Sequence, residues 1–386
     1  MSDDTMQHGE RNSLSRDTQL INDIAHIVEQ ARQRVRTAVN TAMVYAYFEI
    51  GRHIVEYEQG GNTRADYGKR LLNELSAALT SRLGDGWGYT LLYNIRRFYL
   101  AYAAKEPSFV AHNQSETKLI GSQEPVTDEF FTHCMENSKD GAVTPLFSLS
   151  WSHYLILIRI KDEGARSFYE IECARQDWSV RQLQRQVNSC LYERLALSRD
   201  KDAVLAMANE GHVVSKPSDI IKDPITLEFL GLKPEDAYTE SKLETAIIDR
   251  MRDFLLELGK GFLFEARQKR FTFDEEHFYV DLVFYNRLLQ CYCLIDLKTD
   301  KLTHQDLGQM QMYVNYFDRH VRQPFEKPTI GILLCKEKND ALVELTLPED
   351  ANIYASSYEL YLPDKALLQA KVREWIAEFE SNEAGD

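Results

Sequence analysis

Three charged residues stand where the hydrophobic pattern would bury them. The stretch from Phe278 to Lys298, FYVDLVFYNRLLQCYCLIDLK, reads as two apolar strands separated by a polar break at Asn286-Arg287, and the charges inside those strands are Asp281, Asp296 and Lys298. An ionised group in a buried strand is costly unless it is paired or bound to a cation, so two acids and an amine in adjacent strands point to a functional site. Alternation puts Asp296 and Lys298 on one face beside Leu294, with Ile295 and Leu297 on the other.

Whether Asp281 joins them depends on the hairpin register. A tight turn at Asn286-Arg287 sets Asp281 opposite Tyr292, too far from Asp296 for one metal ion to bridge the two acids. A longer loop, from about Arg287 to Gln290, sets Asp281 opposite Asp296. The functional reading requires the longer loop.

The elements that would position this site lie on either side of it. Upstream, TESKLETAIIDRMRDFLLELG reads as one amphipathic helix ending at Gly259, with a stripe of Ile247, Ile248, Met251, Leu255 and Leu258. Glu244 falls on that stripe, either as a first-turn charge favoured by the helix dipole or as a buried neighbour of a metal. Strands near 262–273, 278–286 and 290–298 form a meander, followed by a helix over 303–320 and a strand at TIGILLC. In that helix Thr303 and Asp306 form the cap, and Leu307, Met310, Val314 and Phe317 form the core stripe. Gln309 and Tyr313, one turn apart, are expected on a neighbouring face with Asp306, Tyr316 and His320.

Asp281 followed fifteen residues later by Asp296-Leu297-Lys298 resembles the PD-(D/E)XK nuclease core. The flanking text, FLLELGKGFLFEARQKRF and LGQMQMYVNYFD, with LSWSHYLILIRIKD and DWSVRQLQRQVNSCLYERL upstream, resembles the bacterial YhcG-like family of nucleases over most of the chain. One departure is the acid before Lys298, an Asp where Glu is the commoner residue. The resemblance implies an α/β fold: a restriction-endonuclease-like mixed-sheet core at the C-terminus, preceded by a mainly α-helical N-terminal domain. It also implies a Mg²⁺-dependent deoxyribonuclease, with Mn²⁺ able to substitute. Asp281 and Asp296, with Glu244 as a further candidate, would hold the metal, and Lys298 would orient or deprotonate the attacking water. Gln309-x-x-x-Tyr313 resembles an accessory motif of PD-(D/E)XK nucleases that act in recombination, which adds both residues to the catalytic candidates. Repair, recombination and defence against foreign DNA are the expected settings. The competing reading is a non-catalytic DNA- or protein-binding adaptor that keeps a nuclease-like fold.

The 386 residues carry a net charge of −15, 44% hydrophobic and 27% charged residues, which fits a globular protein and not a simple basic nucleic-acid binder. From Leu227 onward there are 19 basic and 30 acidic residues, and before it 26 and 30, so the N-terminal part repels DNA less. No run approaches a membrane span, and the polar start is neither a signal nor a transit peptide, so a cytoplasmic location without a membrane partner is expected. The six cysteines lack metal-ligand spacing, and Cys291 and Cys293 read as core fillers. Walker A, G-x-S-x-G and H-E-x-x-H patterns are absent.

The expected organisation is a polar tail over 1–17, a helical N-terminal domain over 18–200 with a polar insertion at 105–145, a linker at 201–226 and the nuclease-like domain at 227–386. Within the N-terminal part, a helix stopped by Gly84 and a second one capped by Thr90 and carrying Arg96-Arg97 fit either a helix-turn-helix or an ordinary helical hairpin. Ser179 caps a further helix, whose buried stripe is Val180, Leu183, Val187 and Leu191 and whose other side presents Arg181 and Arg185. Both arginine pairs are candidates for DNA phosphates. DNA is thus the expected partner, with a protein partner through the N-terminal domain and self-association left open.

Overall fold

Apolar runs of period two from Phe262 to Lys301, followed by a helical period and another apolar run, fold as the pattern requires in the computed structural model. It describes residues 28–29, 38–58, 65–105, 147–197, 201–233, 238–348 and 350–372. The expected tail at 1–17 lies outside the described residues, as does the polar insertion apart from Lys105. The chain divides into two compact units, Met1–Lys161 and Asp162–Asp386.

In the first unit, residues 38–58 are helical, and α1 (Ala65–Leu83) and α2 (Tyr89–Tyr102) follow, joined by a turn with Gly84 and Gly86 at positive φ. α2 is capped by Gly88 and not by Thr90. Ile54, Leu72, Leu92 and Ile95 form one small core. Phe48, Phe98, Phe147 and Tyr154 form an aromatic cluster that anchors α3 (Trp151–Leu157).

The second unit holds a six-stranded mixed sheet of order β1-β6-β5-β4-β3-β2, with β1 Ile225–Thr226, β2 Phe262–Phe273, β3 Glu276–Asn286, β4 Cys291–Lys301, β5 Ile330–Glu337 and β6 Ile353–Glu359. β2, β3 and β4 form the expected antiparallel meander, and β4, β5, β6 and β1 run parallel. Asn286 pairs with Cys291 and Leu282 with Ile295, so the hairpin closes through the longer loop. Alternation separates two cores. Ile295, Leu297, Cys291 and Cys293 pack with α8 (Glu240–Asp249) and α9 (Met251–Leu258), while Leu294 packs with α10 (His304–His320). The single helix expected over 239–259 is broken at Arg250, whose φ of −116° and ψ of 28° leave the helical range.

α4 (Glu163–Arg175), α5 (Val180–Asn188) and α6 (Leu191–Ala196) belong to the same unit as the sheet. The expected linker contains α7 (Lys201–Glu210), packed on α4, and then β1 in the sheet. One helix was expected over 180–197, but Cys190 at φ 53° divides it.

These segments are bound to the sheet unit by an ionic cluster around Glu257, which is 0% exposed. Its carboxylate accepts from Arg194 at 2.7 Å, Arg185 at 3.0 Å and the Thr226 N–H at 3.0 Å. Burial alone would raise this carboxyl, but Arg194, then Lys222 and Arg185, outweigh it and hold Glu257 at about 2. The Lys222 amine donates to the Glu257 carbonyl, and burial draws it down to about 8.

Candidate active site

The paired register ends at Leu282–Ile295, so Asp281 and Asp296 are the next residue on each strand, and their carboxyls are close enough to interact. Gln268 of β2 falls across from Asp281, between the pairs Arg267–Leu282 and Lys269–Val280. Gln268, Asp281 and Asp296 therefore form one row across three strands. The Asp281 carboxylate accepts from the Leu297 N–H at 2.8 Å through Oδ2 and from Gln268 Nε2 at 2.8 Å through Oδ1.

Asp296 is buried at 3% exposure, and its Oδ2 accepts no aligned hydrogen bond. Lys298 Nζ forms an ion pair with that oxygen at 2.8 Å. Burial, and after it the charge of Asp281, pushes the Asp296 carboxyl up to about 7 against the pull of Lys298. Burial disfavours the Lys298 ammonium, yet Asp296, with Glu240 and Asp306 adding to it, raises it above the ordinary lysine range. Those two further acids lie 3.9 Å and 3.8 Å from Nζ. Asp306 is placed there by the Thr303 capping box of α10 and Glu240 by the first turn of α8.

Glu244 is buried, and α8 directs it toward β2, where Arg267 Nε donates to Oε1 and Gln268 Nε2 donates to Oε2 at 2.8 Å. Glu244 is thus linked to Asp281 through Gln268. Among the described residues, no group of three or more His, Cys, Asp or Glu is close enough to hold a metal ion. What fits a cation here is the chemistry of the donor set, two neighbouring carboxylates of which Asp296 is buried and opposed by the charge of Asp281.

Gln309 donates to the Tyr313 hydroxyl, as the Q-x-x-x-Y spacing allows. Tyr313 is not on a neighbouring face as expected: it is 1% exposed, packed with the core stripe and edge-on to Phe271 at 5.5 Å. Burial raises its phenol, and the fields of Asp296, Lys298 and Asp281 all reach it.

The arginine candidates need correction. Arg185 does not face solvent. It donates to Glu228 at 2.9 Å, to Glu257 at 3.0 Å and to the Thr226 carbonyl at 3.1 Å, and stacks 5.0 Å from the Phe229 ring, which leaves it no free fork for a phosphate. Arg181 remains exposed. In the first unit, Arg96 Nε donates to Glu58 at 2.6 Å, and Arg97 donates to the Ile158 carbonyl at 2.7 Å and lies 5.8 Å from the Tyr93 ring. Both are engaged within their own helical unit. Sequence reasoning missed Gln268 and Glu240. The available signals were a polar triplet, Arg267-Gln268-Lys269, inside an otherwise alternating strand, and an acid right after the Thr239 cap.

A mixed sheet with two neighbouring carboxylates and an adjacent lysine is the arrangement of a PDDEXK nuclease, and the family profile described as "YhcG PDDEXK nuclease domain" matches residues 218–373. The profile described as "DUF1016 N-terminal domain" matches residues 23–194. The chain is 40% identical over 353 residues to the Escherichia coli (strain K12) protein named "Putative nuclease YhcG", covering 91% of this chain and 92% of that one. The chain belongs to the YhcG family. Two solved structures show partial likeness: a repair endonuclease from Pyrococcus abyssi, at 16% identity over 33% of this chain, and an EndoMS–dsDNA complex, at 18% over 35%. In each the match spans 50% of that chain, with a TM-score of 0.24. Among the described residues, no helix is long and apolar enough to cross a membrane.

Proposed function

We propose that this protein hydrolyses phosphodiester bonds in DNA with Mg²⁺, for which Mn²⁺ can substitute, and that its N-terminal unit docks DNA or a protein partner. The observation that carries this reading is the placement of Lys298 2.8 Å from Asp296, with Asp281 close enough to interact with the same residue. Asp281 and Asp296 would hold the ion. When bound, it supplies positive charge to the scissile phosphate and makes water more acidic. Lys298 holds a donor beside the two acids, positioned to orient the attacking water and to offset charge developing on the phosphate. The Gln309 amide, held by the buried Tyr313 hydroxyl, would fix that water or a phosphate oxygen without changing net charge. Arg181, which lies in the unit that holds the sheet, is the phosphate contact retained from the sequence reading. Repair, recombination or defence against foreign DNA are the settings this activity would serve.

The test is cleavage of plasmid and linear DNA by the purified full-length protein. Cutting is expected with Mg²⁺ or Mn²⁺ and not with Ca²⁺ or chelator, and it should be lost in Asp281→Ala and Lys298→Ala variants that keep the wild-type circular dichroism spectrum. Cutting by either variant at the wild-type rate would remove that residue from the machinery. No cutting under any metal condition would favour an adaptor.

A further inference from the structure

The Gln268 carboxamide occupies an unusual place. Its nitrogen lies 2.8 Å from Glu244 Oε2 and 2.8 Å from Asp281 Oδ1, so one NH₂ group bridges two carboxylates where a cation would otherwise stand. Its backbone is left-handed at φ 46°, a conformation non-glycine residues adopt at a cost, within a strand that is otherwise regularly paired around it. Beside it, Asp296 is buried with Lys298 Nζ 2.8 Å from its Oδ2, and among the described residues no third acid, histidine or cysteine completes a metal-binding group. A neutral ligand is therefore needed if an ion is to be held by protein at more than two points. Carboxamide oxygens are ordinary ligands of hard divalent ions.

The physics of the carboxamide sets its orientation. Its two ends differ in polarity and exchange places by rotation about the last side-chain bond. With no cation present, an oxygen between two carboxylates is repelled and the nitrogen faces inward. With a divalent ion present, the nitrogen is repelled and the oxygen faces inward. We propose that Gln268 is a metal-responsive ligand of the site, bridging Glu244 and Asp281 through its NH₂ group in the metal-free protein and turning its Oε1 to a divalent cation when one binds. This inference rests on the reading of Asp281 and Asp296 as a cation site.

The experiment is Mn²⁺ titration of the full-length protein by calorimetry, with thermal melting in chelator and in Mn²⁺. Gln268→Met keeps the length of the side chain and removes both polar ends, and is expected to weaken Mn²⁺ binding at least about fivefold, roughly 1 kcal/mol. Gln268→Glu crowds a third carboxylate into the metal-free site. It should melt lower than wild type in chelator, bind Mn²⁺ at least as tightly, and recover its melting temperature when Mn²⁺ is added. If Gln268→Met binds Mn²⁺ as tightly as wild type or tighter, the carboxamide is a clip that competes with the ion, and the proposal is overturned. Weaker binding by Gln268→Glu than by wild type also overturns it. Wild-type protein that takes up no Mn²⁺ would defeat the cation-site reading itself, whereas wild-type cutting and uptake with an indifferent Gln268→Met would defeat this inference alone.

Discussion

The Leu297 N–H donates to Asp281 Oδ2 at 2.8 Å, tethering a carboxylate of β3 to the backbone of β4 one residue beyond Asp296. The tether holds two acids together that would otherwise separate. Asp281→Asn keeps the shape and an acceptor oxygen while removing the charge that opposes ionisation of Asp296. We expect DNA cleavage to fall at least about 100-fold, roughly 3 kcal/mol, with the melting temperature unchanged or raised. Parallel cleavage and melting curves check this, and a fall in stability with the rate per folded molecule intact would make Asp281 structural.

Lys298 faces Asp296 at 2.8 Å, with Asp306 at 3.8 Å and Glu240 at 3.9 Å. Lys298→Met should abolish cutting without unfolding the protein, because Asp296 can become neutral by keeping a proton in place of its ion partner. Single-turnover cleavage at saturating Mg²⁺ separates lost chemistry from lost metal affinity.

Gln309 and Tyr313 act as a hydrogen-bonded pair. Gln309→Ala should lower the cleavage rate at least about tenfold, roughly 1.4 kcal/mol, while lowering stability by about 1 kcal/mol for the lost hydrogen bond. If denaturant melts show the stability loss and the rate per folded molecule is unchanged, Gln309 serves Tyr313 packing alone.

Arg185 and Arg181 now separate. Arg181→Ala should flatten the salt dependence of DNA binding by about one phosphate contact, roughly 0.9 in slope, and leave the fold intact. Arg185→Ala should instead destabilise the protein by about 3 kcal/mol, since it strips a partner from a carboxylate with no exposure. Fluorescence anisotropy at several salt concentrations, with denaturant melts, distinguishes the two effects.

Glu257 sets an acid limit. Its folded value of about 2 lies below the ordinary 4.5, so its contribution, about 3 kcal/mol, is fully present above pH 4.5 and is lost as the pH falls from there toward 2. Glu257→Gln should therefore flatten the stability profile in that window and cost about 3–5 kcal/mol at neutral pH. Urea midpoints between pH 3 and 7 measure both.

Much of the candidate site was legible because it follows from local periodicity. Alternation alone separates Leu294 from Ile295 and Leu297, and the requirement that Asp281 meet Asp296 selects the longer loop that the Asn286–Cys291 pair confirms. Most of the misreadings concern partners distant in sequence or single residues that interrupt a period. The ion partners of Arg185, Glu228 and Glu257, lie 43 and 72 positions away, and no helical wheel of α5 contains them. Tyr313 sits next to the predicted stripe and is drawn into it by Phe271 of a different strand. Arg250 and Cys190 break helices whose composition reads as continuous. Gln268 escaped notice because an amide in a polar triplet resembles surface until its two acceptors, one on α8 and one on β3, are seen.

The guanidinium clamp on Glu257 also bears on inheritance. The two family profiles leave a gap between residues 194 and 218, which invites the view of a junction where modules are exchanged. Yet Arg185 and Arg194 lie on one side of that gap and the carboxylate they neutralise on the other. A crossover there between divergent relatives would pair a buried acid with whatever side chains the new upstream segment happened to bring. Chimeras that respect the clamp must take residues 185–257 from one parent, and Arg185 and Arg194 should co-vary with Glu257.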